Sequence, residues 1–170
     1  FEIISESQNN EEIKINAIKA LSKASGNKGM IEGQILDIES ESKKISLENL
    51  QYIHLKKSGE LIKASLICGA LIAGATKKQL IGLNTIGENL GLCFQIVDDI
   101  LDVTQDSNSL GKPANSDLKN KKSTYPSLLG LSEAKKMAED CYTTATKLIK
   151  SFHNNEELMQ IAELIYQRSS

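Results

Sequence analysis

Apolar residues recur at intervals of three and four along most of this chain, and only two prolines, Pro113 and Pro126, occur in its 170 residues. Side chains three and four positions apart fall on one face of a helix, and proline is the residue that most effectively stops one. The pattern therefore predicts helices throughout, and no segment reads convincingly as a strand. Ile13, Ala17, Ala20, Leu21 and Ala24 form one stripe ending near Gly26. Met30 to Ile38 forms a second, before the polar stretch Glu39 to Lys44. Ser46 is placed to cap a helix opening at Leu47, and Thr76 with Gln79 makes a capping box for a long helix reaching about Thr104. Residues 106–126 are rich in Asp, Asn, Ser and Lys and read as a loop. Ser132 then caps a helix to about Phe152, and an amphipathic piece runs from Asn155 to Gln167. An all-α helical bundle, one domain over residues 1–170, is the predicted architecture.

Composition narrows the function classes. A chain 40% hydrophobic and 25% charged can bury a real core. A net charge of −2 with both signs interspersed gives no sign of a nucleic-acid surface, so binding to a polyanion would have to be local. The longest apolar stretch, Ala64 to Ala75 broken by Ser65, falls well short of the roughly 20 residues that cross a bilayer. No transmembrane segment or charged leader is expected. Cys68, Cys93 and Cys141 are odd in number, far apart and in apolar or helical contexts, so they read as reduced core thiols of a cytoplasmic protein. The small residues of 63–75, Gly69 and Gly74 among them, suggest close helix packing. Phe1-Glu2-Ile3-Ile4 reads as the tail of an earlier helix, so the chain is expected to be a piece of a longer polypeptide.

The chemistry concentrates in GLCFQIVDDILDV, residues 91–103. On a helix Asp98 and Asp102 share a face, with Asp99 about 100° around. Two carboxylates about 5 Å apart at an effective dielectric near 20 repel by roughly 3 kcal/mol, a cost that a hard divalent cation removes. Magnesium takes carboxylate, water and phosphate oxygens, whereas zinc would want His or Cys. A solvated acidic face is the alternative that these residues alone leave open. Lys56-Lys57-Ser58-Gly59 lies between helical segments, and Lys112, Lys119, Lys121 and Lys122 follow the acids. Acids at a helix end followed by a basic loop suit a magnesium diphosphate held between them.

These segments resemble a known family. GLCFQIVDDILDV followed by LGK and KSTYPSLLGL resembles the second aspartate-rich region of the trans-type polyprenyl diphosphate synthases, especially the bacterial farnesyl diphosphate synthases. EGQILDIES is similar to the family's GGQxxD segment and IHLKKSGELI to its IHxxKTGxLI, and the likeness runs to the final IAELIYQR. The resemblance implies a bundle of the isoprenoid synthase type, here lacking its N-terminal helices. It implies a magnesium-dependent prenyltransferase, a homodimer, that condenses isopentenyl diphosphate with an allylic diphosphate. Asp98, Asp99 and Asp102 would hold Mg2+ on the allylic diphosphate, with Asp117 joining the metal network. Lys57, Lys112 and Lys122 would contact the diphosphate, and Lys57, Ser58 and Gln95 would line the carbocation region. Gln34 and Asp37 are expected to do no more than support these residues, and His54 and His153 to have packing or surface roles.

The family's first aspartate-rich motif and most of its isopentenyl diphosphate-binding arginines have no counterpart here; Arg168 is the single arginine. The residues therefore correspond to the C-terminal part of such an enzyme, expected to be inactive alone. Farnesyl diphosphate is the expected product. The rivals are a geranylgeranyl or longer-chain synthase and a non-catalytic regulatory subunit. Glu32 stands where the family has the first glycine of GGQ, which puts the close helix approach at that point in doubt.

Overall fold

A computed structural model describes residues 1–108 and 122–168, the side chains of 105–108 excepted. Nine α-helices follow in order among the described residues. They are α1 (Glu2–Glu6), α2 (Glu11–Ser25), α3 (Met30–Glu39), α4 (Leu47–His54), α5 (Glu60–Ile72), α6 (Lys77–Asn108), α7 (Tyr125–Leu129), α8 (Leu131–Ile149) and α9 (Glu156–Tyr166). A π-helical turn, Leu55–Gly59, joins α4 to α5 without a break. No strand occurs among the described residues, as the periodicity predicts.

Two of the three predicted caps are present. Ser46 Oγ accepts from the Asn49 amide at 3.2 Å. The Thr76 amide donates to Gln79 Oε1 at 2.8 Å while the Gln79 amide donates to Thr76 Oγ1 at 3.3 Å. These reciprocal bonds satisfy two of the amides that a helix start leaves unpaired.

Two boundaries differ. The polar stretch assigned to loop gives way to α7 at Tyr125, opened by a second capping box between Thr124 and Ser127 with Pro126 in the first turn. Proline costs nothing there, because the first helical amides have no partner within the helix. Next, α8 starts at Leu131 after Gly130, whose φ of 81° breaks the helical path, and Ser132 makes no cap.

Helix α6 is the centre of the bundle, packing most extensively on α8 and α5 and also meeting α4, α7 and α9. Its first half contributes Leu83, Ile86 and Leu90 to one core cluster with Ala145, Ile149 and Ala162. Its second half contributes Cys93, Ile96, Val97 and Ile100 to another with Leu50, Tyr125, Ala134, Ala138 and Cys141. Each such aliphatic side chain taken from water contributes roughly 1.5–3 kcal/mol. By length and composition α6, rather than 64–75, is the helix apolar enough to cross a membrane. In the fold seven of its apolar residues enter these two clusters, while Ile81 and Val103 stay exposed.

Cys93 and Cys141 are buried, and all three cysteines are unpaired. Burial pushes the Cys93 thiol up to about 12 and the Cys141 thiol to about 11, so neither ionises near neutrality. The close packing expected at Gly69 and Gly74 is absent: a Cβ at either would meet nothing within 4 Å. Gly74 serves α5 differently. Its φ of 73° turns the chain, so that the Gly74 amide donates to Leu71 O and the Ala75 amide to Ala70 O, a Schellman ending.

Candidate functional site

The π turn sets the position of the first candidate residues. It widens the helix by one residue per turn at Lys56-Lys57-Ser58, a local distortion that recurs at functional sites. Two glycines press neighbouring helices against it. A Cβ at Gly33 of α3 would lie 2.2 Å from the Lys57 amide nitrogen and 2.6 Å from its Cα. One at Gly91 of α6 would lie 2.6 Å from Gly59 Cα. Lys57 and Ser58 are thus clamped between α3 and α6, and Gln95, one turn beyond Gly91, lies on the α6 face that meets the turn. The side chains of Ser58 and Gln95 are partly exposed and make no hydrogen bond within the described structure.

The close approach questioned by Glu32 is therefore kept, and Gly33 alone makes it. Glu32 points outward, accepting from Tyr52 Oη at 3.0 Å and pairing with Lys56 Nζ at 3.3 Å. Because the atoms facing Gly33 are backbone, they cannot swing aside. Gly33→Ala is expected to destabilise the fold by about 2 kcal/mol or more, read as a lower urea midpoint at unchanged slope. An unchanged midpoint would mean that the clamp does not exist.

Asp37 supports the site by holding two of its lysines. Its Oδ2 accepts from Lys57 Nζ and from Lys122 Nζ, both at 2.6 Å. Burial pushes the Asp37 carboxyl up, but the two lysines outweigh it and hold the pKa below the ordinary value. Lys122 comes from the segment just before α7, so one buried carboxylate gathers cations from opposite sides of the site. His54 lies close enough to feel Asp37, Lys57, Lys122 and Asp98. Burial dominates and lowers it to about 4, and its ring leans on Tyr125 with centroids 5.5 Å apart. The packing role expected of His54 is what the structure displays; His153 is exposed.

The three acids of α6 meet three different surroundings. Asp98 Oδ1 accepts from Arg168 Nη2 at 2.6 Å, with its side chain half exposed. Asp99 turns toward α7 and accepts from the Tyr125 amide at 2.9 Å. Burial raises Asp99 to about 7, with Asp98 and Asp102 adding to the rise and the Tyr125 amide and Lys122 opposing it. Asp102 is exposed and has no partner among the described residues. No three His, Cys, Asp or Glu side chains converge into a ready metal cage among the described residues. Asp98 and Asp102 nevertheless form an oxygen-only pair one turn apart. That donor set suits magnesium, which takes one or two carboxylates and completes its shell with water and phosphate oxygens.

Lys112 and Asp117, with Lys119 and Lys121, lie outside the described residues. Sequence reasoning did not single out Phe94 or the Arg168 contact. Phe94 stands one turn before Asp98, a spacing that could have been noticed, and the Arg168 guanidinium lies 4.1 Å from its ring centroid.

Comparison with known proteins gives this arrangement its context. The chain is 42% identical over 170 residues to a farnesyl diphosphate synthase of Micrococcus luteus, covering 99% of this chain and 58% of that enzyme. It is 36% identical to geranylgeranyl pyrophosphate synthase 4 of Arabidopsis thaliana, covering 92% of this chain and 43% of that one. A crystal structure of geranyltransferase from Helicobacter pylori, complexed with magnesium and isoprenyl diphosphate, superposes with a TM-score of 0.77. It is 35% identical and covers 98% of this chain and 55% of that one. The chain thus spans about half the length of the relatives it matches. The polyprenyl synthetase family model covers residues 1–165, and with the fold and the sequence motifs in agreement, this chain belongs to the polyprenyl synthetase family.

Proposed function

We propose that this chain carries the diphosphate-gripping part of a prenyltransferase that joins isopentenyl diphosphate to an allylic diphosphate, with farnesyl diphosphate as product. The observation that supports it most is the convergence of Lys57 and Lys122 on buried Asp37. Two ammonium groups fixed by one anion present donors to a second anion without the entropy of gathering two flexible chains. Lys112 completes the grip in this reading. A diphosphate leaving an allylic carbon gains negative charge at its bridging oxygen, and fixed cations stabilise that charge most where water is excluded. Ser58 and Gln95, with their side-chain oxygens unclaimed, face the complementary positive charge on the hydrocarbon.

Asp98, Asp99 and Asp102, with Asp117, would hold magnesium, which would supply Lewis-acid stabilisation of the same leaving group. The proton lost when the isopentenyl double bond attacks goes to the released diphosphate, so His54, buried and neutral, takes no part. The homodimer implied by the sequence motifs and the cytoplasmic setting suggested by the unpaired cysteines belong to the same reading.

The test is a chimera. This chain replaces the aligned portion of the Micrococcus luteus enzyme, and the product is supplied with dimethylallyl and isopentenyl diphosphates and Mg2+. A C15 diphosphate is expected from the chimera and no turnover from this chain by itself. A C20 or longer product would instead favour the geranylgeranyl reading, which the similarity to the Arabidopsis enzyme keeps in view. A folded chimera without any product would favour a regulatory subunit and reject the catalytic proposal.

A further inference from the structure

We propose that Arg168 is a resident counter-cation for Asp98 with which a divalent metal competes, so that Gln167 and Arg168, just after α9, respond to occupancy of the acidic face. The proposal rests on the reading of Asp98 and Asp102 as metal-binding.

Arg168 lies two residues beyond α9 and is held there by side-chain contacts. Tyr166 stacks on Tyr142 at 4.6 Å with the rings 12° from parallel, which anchors the backbone two residues earlier. The guanidinium then lies over the Phe94 ring at 4.1 Å and donates to Asp98 Oδ1 at 2.6 Å. Phe94 and Asp98 are one turn apart on α6, so ring and carboxylate form two walls of one slot. Only one edge of the guanidinium is hydrogen-bonded, since Arg168 Nε is buried without a partner. Charge and stacking hold it, a combination that suits a planar, permanently charged guanidinium and would be lost to a lysine.

Asp98 Oδ1 is also the kind of oxygen that a hard divalent ion takes. A metal on Asp98 would set two positive charges beside one carboxylate, and their repulsion would weaken both the Arg168 pair and the metal's hold. The two cations therefore compete for Asp98, while the Tyr142–Tyr166 stack keeps α9 docked as Arg168 gives way.

The full chain is titrated with Mn2+ in the presence of inorganic diphosphate, following free Mn2+ by electron paramagnetic resonance, with hydrogen exchange measured on the same samples. Arg168→Gln is expected to tighten Mn2+ binding about tenfold, the worth of one charge-assisted bond. Phe94→Leu, which keeps the charge but removes the stacking wall, should tighten it less. In the unsubstituted chain, Mn2+ with diphosphate should speed exchange at the amides following Tyr166. Equal or weaker binding by the Arg168→Gln chain overturns the proposal while leaving the metal-binding reading intact. No Mn2+ uptake by either chain would reject that reading and this proposal together.

Discussion

Asp98→Ala, introduced into the chimera with the upstream portion of the Micrococcus luteus enzyme, is expected to lower turnover about 100-fold or more while costing only about 1 kcal/mol of stability. The two effects separate because Asp98 has two employments. In the resting fold it pairs with Arg168 at 2.6 Å, with the carboxylate half exposed. A pair so close to water contributes little, and its loss frees a guanidinium that still rests on Phe94. In the reaction, by contrast, Asp98 would share with Asp102 the cation that stabilises departing diphosphate, and that interaction strengthens as charge develops. Steady-state kinetics and urea unfolding on the same preparation check both halves. Near-normal turnover would remove Asp98 from the chemistry, and a loss of several kcal/mol would recast it as structural.

A second large effect is expected in the pH dependence of stability, measured by urea unfolding in metal-free buffer between pH 4 and 7. His54 is lowered from 6.5 to about 4. The unfolded chain binds a proton that the native state refuses, so this contribution is present above pH 6.5 and is lost as pH falls through 4. It amounts to about 3 kcal/mol. Asp37, also lowered, acts with the same sign, but its contribution is lost only as pH falls below about 3.8, outside this range. Asp99 is raised from 3.8 to about 7 and works the other way. Its contribution is complete below pH 3.8 and is lost as pH rises through 7, about 4 kcal/mol in all.

Between pH 4 and 6.5 the opposing slopes largely cancel, and the unsubstituted chain should show a nearly flat profile. Asp99→Asn keeps an oxygen for the Tyr125 amide but cannot titrate. That variant should lose about 3 kcal/mol on going from pH 7 to pH 4, as the His54 slope is unmasked. A flat profile for Asp99→Asn would show that these two groups do not set the balance.

The helix caps show what was legible. Ser46 with Asn49, and Thr76 with Gln79, are contacts between residues three apart, so their geometry follows from the chain's local order. The box at Thr124 and Ser127 is just as local, yet its proline and polar flanks imitate a loop. Glycine was harder to read. Gly69 and Gly74 stand in a conspicuous run of small residues and face open space, whereas Gly33 and Gly91 make the contacts that place Lys57. Nothing local distinguishes the two kinds, because the need for a missing Cβ is set by whatever arrives from elsewhere.

By itself, then, the sequence determined the helical class, most of the caps, the shared face of Asp98 and Asp102, and the family. All of these depend on the 3.6-residue period or on motifs contiguous in the chain. Only the tertiary structure decided that Asp99 turns to Tyr125, that Asp37 joins Lys57 to Lys122, and that Arg168 meets Asp98. These partners stand 26, 85 and 70 residues apart for the Asp99, Lys122 and Arg168 bonds. Electrostatic pairing depends on distance through space, and that distance exists only once α6 has been packed among its neighbours.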